Sequence, residues 1–192
     1  SQNSGKLASN SLPSQAGSYY LTGPVTLDAE WTPASGTVLC LNGWTITSTK
    51  AGRTFKVSSG VTFVLTNCQS TGEFVYSGNT STSNGQHIGV DVDGGSFTMY
   101  NSTVNGFTTG VQAWGSAATF VMHGGSIINS REVGVYNSGT FEMYGGNITG
   151  NGSGAGSSLT GCGVYDYGTM TVGGNAAIKN NTNGSKGPCN VY

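Results

Sequence analysis

Four times in its second half the chain writes nearly the same line. Gly89-Val90-Asp91-Val92 runs into Ser96-Phe97-Thr98-Met99-Tyr100, and Gly110-Val111-Gln112-Ala113 into Thr119-Phe120-Val121-Met122-His123. Gly134-Val135-Tyr136-Asn137 runs into Thr140-Phe141-Glu142-Met143-Tyr144, and Gly163-Val164-Tyr165-Asp166 into Thr169-Met170-Thr171-Val172. The leading glycines stand at 89, 110, 134 and 163. A period in the twenties that absorbs insertions marks a solenoid, whose repeats bury their apolar faces only against each other.

Within each repeat, apolar residues fall at every second position, which is strand periodicity. Phe97, Phe120, Phe141 and Met170 form one inward column, and Met99, Met122, Met143 and Val172 the next. Val104, Ile127 and Ile148 follow at a constant interval, whereas Ile178 has slipped by one. Three apolar stations per coil, separated by Gly and Asn corners, describe an all-β, three-sided parallel β-helix. The 33 glycines among 192 residues suit corners rather than helices.

The first half reads the same way, less regularly. Tyr19-Tyr20-Leu21 with Val25-Thr26-Leu27, Val38–Gly43 with Thr45-Ile46-Thr47, and Phe55-Lys56-Val57 with Val61–Leu65 form three coils. Residues 77–86 and 150–161 read as loops inserted into coils. Residues 1–17, including Leu7 and Leu12, are expected to cap the first coil. The expectation is one domain over 1–192: a cap over 1–17, irregular coils over 18–87 and regular repeats over 88–192, about seven to eight coils in all. The chain starts at Ser1 without a signal peptide and stops at Tyr192 as a new coil begins. The start suits either a removed signal or an excised module, and the end suits a module that continues in a parent protein, although a bridge from Cys162 to Cys189 would also pin the last strand.

The net charge of −1 lacks the basic stripe that nucleic acid requires, and no apolar run could insert into a membrane. Cys162 precedes Gly163-Val164-Tyr165 and Cys189 precedes Asn190-Val191-Tyr192, so the two occupy equivalent places in adjacent coils. Stacked strands lie about 4.8 Å apart, within disulfide reach. Matching Leu39 and Leu41 to Phe63 and Leu65 does not place Cys40 over Cys68, so whether those two pair stays open, with two semi-buried free thiols as the simpler reading. The bridge favours an extracellular or cell-surface setting.

Tyr19–Gly23, Val38–Ile46 and Gly139–Ile148 resemble the opening and the repeat unit of right-handed parallel β-helix modules in large bacterial surface and secreted proteins. The wider pectate-lyase-like group contains polysaccharide lyases, glycoside hydrolases, tailspikes and non-catalytic adhesins, so the resemblance implies a fold rather than an activity.

A lyase of this group would be expected to bind calcium through clustered acids and to abstract a proton with Arg or Lys. Asp91 and Asp93 are the best acidic pair and the only catalytic candidates, with no third carboxylate stacked on them. Arg53 reads as coils away and Arg131 as sitting near a corner. His87 and His123 lack metal-ligand spacing, and no cofactor is implied. The chain therefore leans towards a non-catalytic module.

The outward columns offer more. Asp91, Gln112, Tyr136, Tyr165 and Tyr192 should point outward, as should Asp93, Trp114, Ser138 and Tyr167 two residues on. Trp114, Tyr136, Tyr165 and Tyr167, with Asp91 and Gln112, form a candidate ligand-binding face for a polysaccharide or a host or cell-surface protein. An aromatic ladder that merely stabilises its sheet remains an equal reading. The column Ser96, Thr119, Thr140, Thr169 suggests ice binding only weakly, because Val121 and Glu142 interrupt its neighbour. Asn137 and Asp166 fall in an inward column and should form an internal hydrogen-bond ladder.

Overall fold

The computed structural model describes residues 4–6, 11–78, 86–155 and 161–192. Most of residues 77–86, part of 150–161 and much of the expected cap, Leu7 included, therefore lie outside the described residues.

Every pairing between named strands is parallel, and each strand pairs with its equivalent one coil away. The strands form three walls. Wall one stacks Ser4–Lys6 (β1), Ser18–Tyr20 (β2), Thr37–Cys40 (β4), Thr62–Thr66 (β7), Ser96–Tyr100 (β10) and Thr119–Met122 (β13). Wall two stacks Val25–Leu27 (β3), Thr45–Ser48 (β5), Glu73–Tyr76 (β8), Thr103–Asn105 (β11) and Ser126–Ile128 (β14). Thr140–Thr149 (β16) and Thr169–Lys179 (β18) run round the corner and belong to both. Wall three stacks Gly52–Ser58 (β6), His87–Asp93 (β9), Thr109–Trp114 (β12), Val133–Asn137 (β15) and Cys162–Asp166 (β17). The chain is a parallel β-helix solenoid. No helix among the described residues is long and apolar enough to cross a membrane.

The core is built of columns. Phe63, Phe97, Phe120 and Phe141 are in register and buried, with successive ring centroids 5.6, 5.2 and 5.0 Å apart. Leu65, Met99, Met122 and Met143 form the second column, and Phe74, Val104, Ile127 and Ile148 the third. Ile178 does pair with Ile148 despite its slip, because the register shifts after Met143 and Gly145 pairs with Asn175. Val172 keeps its place opposite Met143 but is half exposed, against expectation. Only one neighbouring coil covers that end of the stack, so an inward position there is not a buried one.

The recurring glycines are explained by wall three. A Cβ at Gly89 would lie 2.6 Å from Gly110 O, one at Gly110 2.7 Å from Gly134 O, and one at Gly134 2.6 Å from Gly163 O. Each glycine therefore lets one coil's backbone sit against the next. Gly110→Ala is expected to cost about 1–3 kcal/mol through overpacking. Chemical denaturation would read this as a lower midpoint at constant slope, and an unchanged midpoint would contradict the close approach.

After wall two, the corner needs φ > 0 in four successive coils. Gly106 (φ 78°), Asn129 (55°), Gly150 (71°) and Asn180 (57°) supply it, using the two residue types that tolerate it best. The next residues in the chain form a buried ladder that sequence reading missed. Asn151 Oδ1 accepts from Ser130 N (2.8 Å), and Asn181 Oδ1 accepts from Asn151 N (3.0 Å) and from Asn151 Nδ2 (2.9 Å). Both side-chain amides also donate to backbone carbonyls, to Ile127 O from Asn151 and to Ile148 O from Asn181. The expected ladder exists as well: Asn137 is buried and its Nδ2 donates to Asp166 Oδ1 at 2.6 Å. Asp166 also accepts from Gly168 N, which accounts for a carboxylate in an inward column.

Two disulfides staple the coils. Cys162–Cys189 is present as expected, with Cα atoms 4.9 Å apart. Cys40–Cys68 is also a disulfide, Cα atoms 6.4 Å apart, which settles the pairing that the sequence left open against the simpler reading of free thiols. Leu39 pairs with Leu65, not Phe63, so Cys40 lies opposite Thr66 and Cys68 follows at the adjoining corner. The first coil is tied down by Trp31 Nε1, which donates to Pro13 O at 3.1 Å.

Candidate functional site

Wall three carries the expected outward columns in the expected register. Asp91, Gln112, Tyr136 and Tyr165 are stacked partners, and Asp93 is opposite Trp114. Stacked strands are closer together than an aromatic ring is wide, so neighbouring rings cannot lie flat side by side. They tip up and overlap. Trp114–Tyr136, Tyr136–Tyr165 and Tyr165–Tyr192 stack at centroid distances of 5.8, 5.8 and 4.8 Å. The row is a ladder of overlapping rings rather than a flat strip.

The ladder divides the candidate residues. Tyr165 is buried between Tyr136 and Tyr192. Tyr167 packs edge-on to Tyr165 (4.8 Å) with the two hydroxyl oxygens 2.6 Å apart. That hydrogen bond, with smaller help from desolvation and neighbouring tyrosines, pushes the Tyr167 hydroxyl up to about 12. Trp114 is 53% exposed and has a ring on one side only, because the coil on its other side contributes Asp93.

Beside Trp114 runs a groove of about 510 Å³. Trp114, Tyr136, Tyr165, Gln112 and Thr109 line it from the regular repeats, with Arg53, Gln86, Glu132 and Val133. A shallower extension of about 550 Å³ shares Arg53, Gln86 and Gln112 and continues past Lys50 to Glu30. Tyr167 and Asp93 do not line either part.

Asp91 sits beneath the groove rather than in it, 1% exposed. Its Oδ2 lies 2.6 Å from Arg53 Nε, and its Oδ1 accepts from Gln112 Nε2 at 3.1 Å. Arg53 is thus an immediate neighbour of Asp91, not coils away: β6 and β9 pair directly. The inserted segment 77–86 had stretched the interval between those coils beyond the repeat length. Lys56 lies 3.3 Å from Asp93 at a more exposed rim. Burial pushes the Asp91 carboxyl up; Arg53 opposes this and Asp93 adds to it. Burial likewise pushes Glu132 up, opposed by Arg131, whose Nη1 donates to Glu132 Oε1 at 2.8 Å. Sequence reading misplaced Arg53 and missed Gln86 and Glu132, which sit at or just before strand starts where no periodicity identifies an outward residue.

The histidines play other parts. His87 is buried and stacks on Tyr76 at 4.4 Å, while His123 is exposed between Tyr100 and Tyr144 on wall one. Among the described residues, no group of three or more His, Cys, Asp or Glu is placed to hold a metal ion.

Comparison with known proteins finds no matching family model, and no significant match among curated proteins or solved structures. The site therefore has to be read from its own residues. What they offer is an open indole face, hydrogen-bonding side chains beside it, and a groove of about 510 Å³.

Proposed function

We propose that this chain is a non-catalytic β-helix module of a secreted or cell-surface protein, and that wall three binds a glycan. The observation that carries this reading is the groove beside Trp114, where a half-covered indole adjoins Gln112 and Arg53. Sugar rings present C–H faces to aromatic rings and hydroxyls to amides and guanidinium groups. The two disulfides suit an oxidising compartment, as a secreted module requires. A single shallow groove binds weakly, so useful affinity would come from repeated copies in a parent protein. The bacterial surface modules that the sequence resembles include adhesins, which agrees with this role.

Trp114→Ala tests the reading. Glycan binding, found on an array and quantified by calorimetry, should fall at least about tenfold, as the loss of some 1.4 kcal/mol would produce. Stability should fall by only about 0.5–1.5 kcal/mol, the contribution of one ring pair. Unchanged binding in this variant would sink the proposal.

A second reading, a polysaccharide lyase or hydrolase, is favoured by one observation: the contact between Asp91 and Arg53. Reducing-sugar and unsaturated-product assays decide it. Cleavage by the wild type that stops in Asp91→Ala would establish an enzyme in place of a binding module.

A further inference from the structure

The charges around the groove cancel in pairs. Arg53 faces Asp91, Lys56 faces Asp93, and Arg131 donates to Glu132. The shallower extension adds one acid and one base, Glu30 and Lys50, which balance in number but are not an ion pair, since Lys50 Nζ donates to Ala51 O. Gln86, which also lines the groove, is uncharged. A cleft lined by one sign of charge focuses a field and gathers ligands of the opposite sign. A cleft lined by closed pairs does neither.

Asp91 does more than neutralise. An ionised carboxylate only accepts hydrogen bonds, so the Gln112 group that meets it is the NH₂. The Gln112 carbonyl oxygen is thereby left as an acceptor. Arg53 Nε lies 2.6 Å from Asp91 Oδ2 as an ion pair, although no N–H is aligned on that oxygen, and its two terminal nitrogens remain as donors on a side chain 47% exposed. The groove thus holds a donor fork and an acceptor, electrically balanced, beside the indole of Trp114.

Resting on the reading of wall three as a glycan face, we infer that the groove selects neutral sugar chains, bearing hydroxyl or acetamido groups, over uronate or sulfated chains. Asp91 is the positioning residue that sets this selectivity. Hydroxyls and acetamides both donate and accept, and so match the fork and the acceptor together. Beside Trp114, a ligand carboxylate or sulfate would have to leave water without gaining a free counter-charge, because Arg53 is already neutralised.

The test is calorimetric titration of the full chain with cellohexaose, chitohexaose, hexagalacturonate and a heparin hexasaccharide, at low and at moderate salt. At least one neutral hexamer should bind, with an affinity that changes less than about twofold with salt, since no net charge is there to be screened. Both acidic probes should bind at least about tenfold more weakly. Asp91→Asn keeps the shape and removes the charge that holds Arg53. It should weaken neutral binding severalfold, strengthen acidic binding about tenfold and make it salt-sensitive, a switch that mere loosening of the fold would not produce. Should that variant fail to fold, Asp93→Asn frees Lys56 at the exposed rim and should move selectivity the same way, by less. Tighter binding of an acidic probe by the wild type would overturn neutral selection while leaving glycan binding intact. Selectivity unchanged in both variants would overturn it too. Failure of every probe to bind would remove the glycan reading, and this inference with it.

Discussion

Phe120→Ala is expected to lower the unfolding free energy by about 3–5 kcal/mol, the usual cost of emptying a buried aromatic site. Phe120 is fully buried, and its ring lies between Phe97 at 5.2 Å and Phe141 at 5.0 Å. Each coil buries its face only against its neighbours, so a cavity in the middle of the column weakens both interfaces. Amide exchange should therefore quicken in β10 and β16 together, not in β13 alone. Relaxation of the column could recover part of the loss, since Phe97 and Phe141 border the same space. An effect below about 0.5 kcal/mol, typical of a surface site, would mean that inward and outward positions are exchanged along wall one.

Removing the Cys162–Cys189 bridge, by replacing both residues with serine, is expected to cost about 3–4 kcal/mol. The cysteines are 27 residues apart, and the loss arises chiefly from the freedom returned to the unfolded chain. The native state adds a local term. Beyond the bridge, wall three continues only through hydrogen bonds such as Val164 N to Asn190 O and the stack of Tyr192 on Tyr165. Tyr192 should loosen first when the staple is gone, and Tyr165 should become accessible to solvent. Mass spectrometry of an unreduced digest should find the linked peptides. Recovery of both cysteines alkylated from the folded protein would refute the bridge, and equal stability of the serine variant would refute its contribution.

The inside and outside of the coils were legible in the sequence because strand periodicity is a local property. Phe97, Phe120 and Phe141 alternate with polar neighbours, and each stands two residues before a methionine, Met99, Met122 or Met143, which places them in one column without reference to anything distant. The same logic found Asn137 with Asp166, and Cys162 over Cys189. It failed where the period was broken. Sliding one strand by two residues keeps every side chain on its own face, so Leu39 could be matched to Phe63 as well as to its true partner Leu65. The pairing of Cys40 with Cys68 stayed open in the sequence because strand register places Cys40 opposite Thr66, and only the corner that follows brings Cys68 to it.

Tertiary structure decided what shares a groove and how rings sit in it. Arg53 meets Asp91 because β6 stacks directly on β9, whatever the distance along the chain. Trp114 and Tyr136 overlap instead of lying flat because strand spacing is set by backbone hydrogen bonds and is narrower than a ring. Asp91 is buried at an outward position because the long side chains of Arg53 and Gln112 close over it. Alternation fixes the side of the sheet from which a residue leaves. Whether it then reaches solvent depends on side chains from other coils, whose identity no local pattern carries.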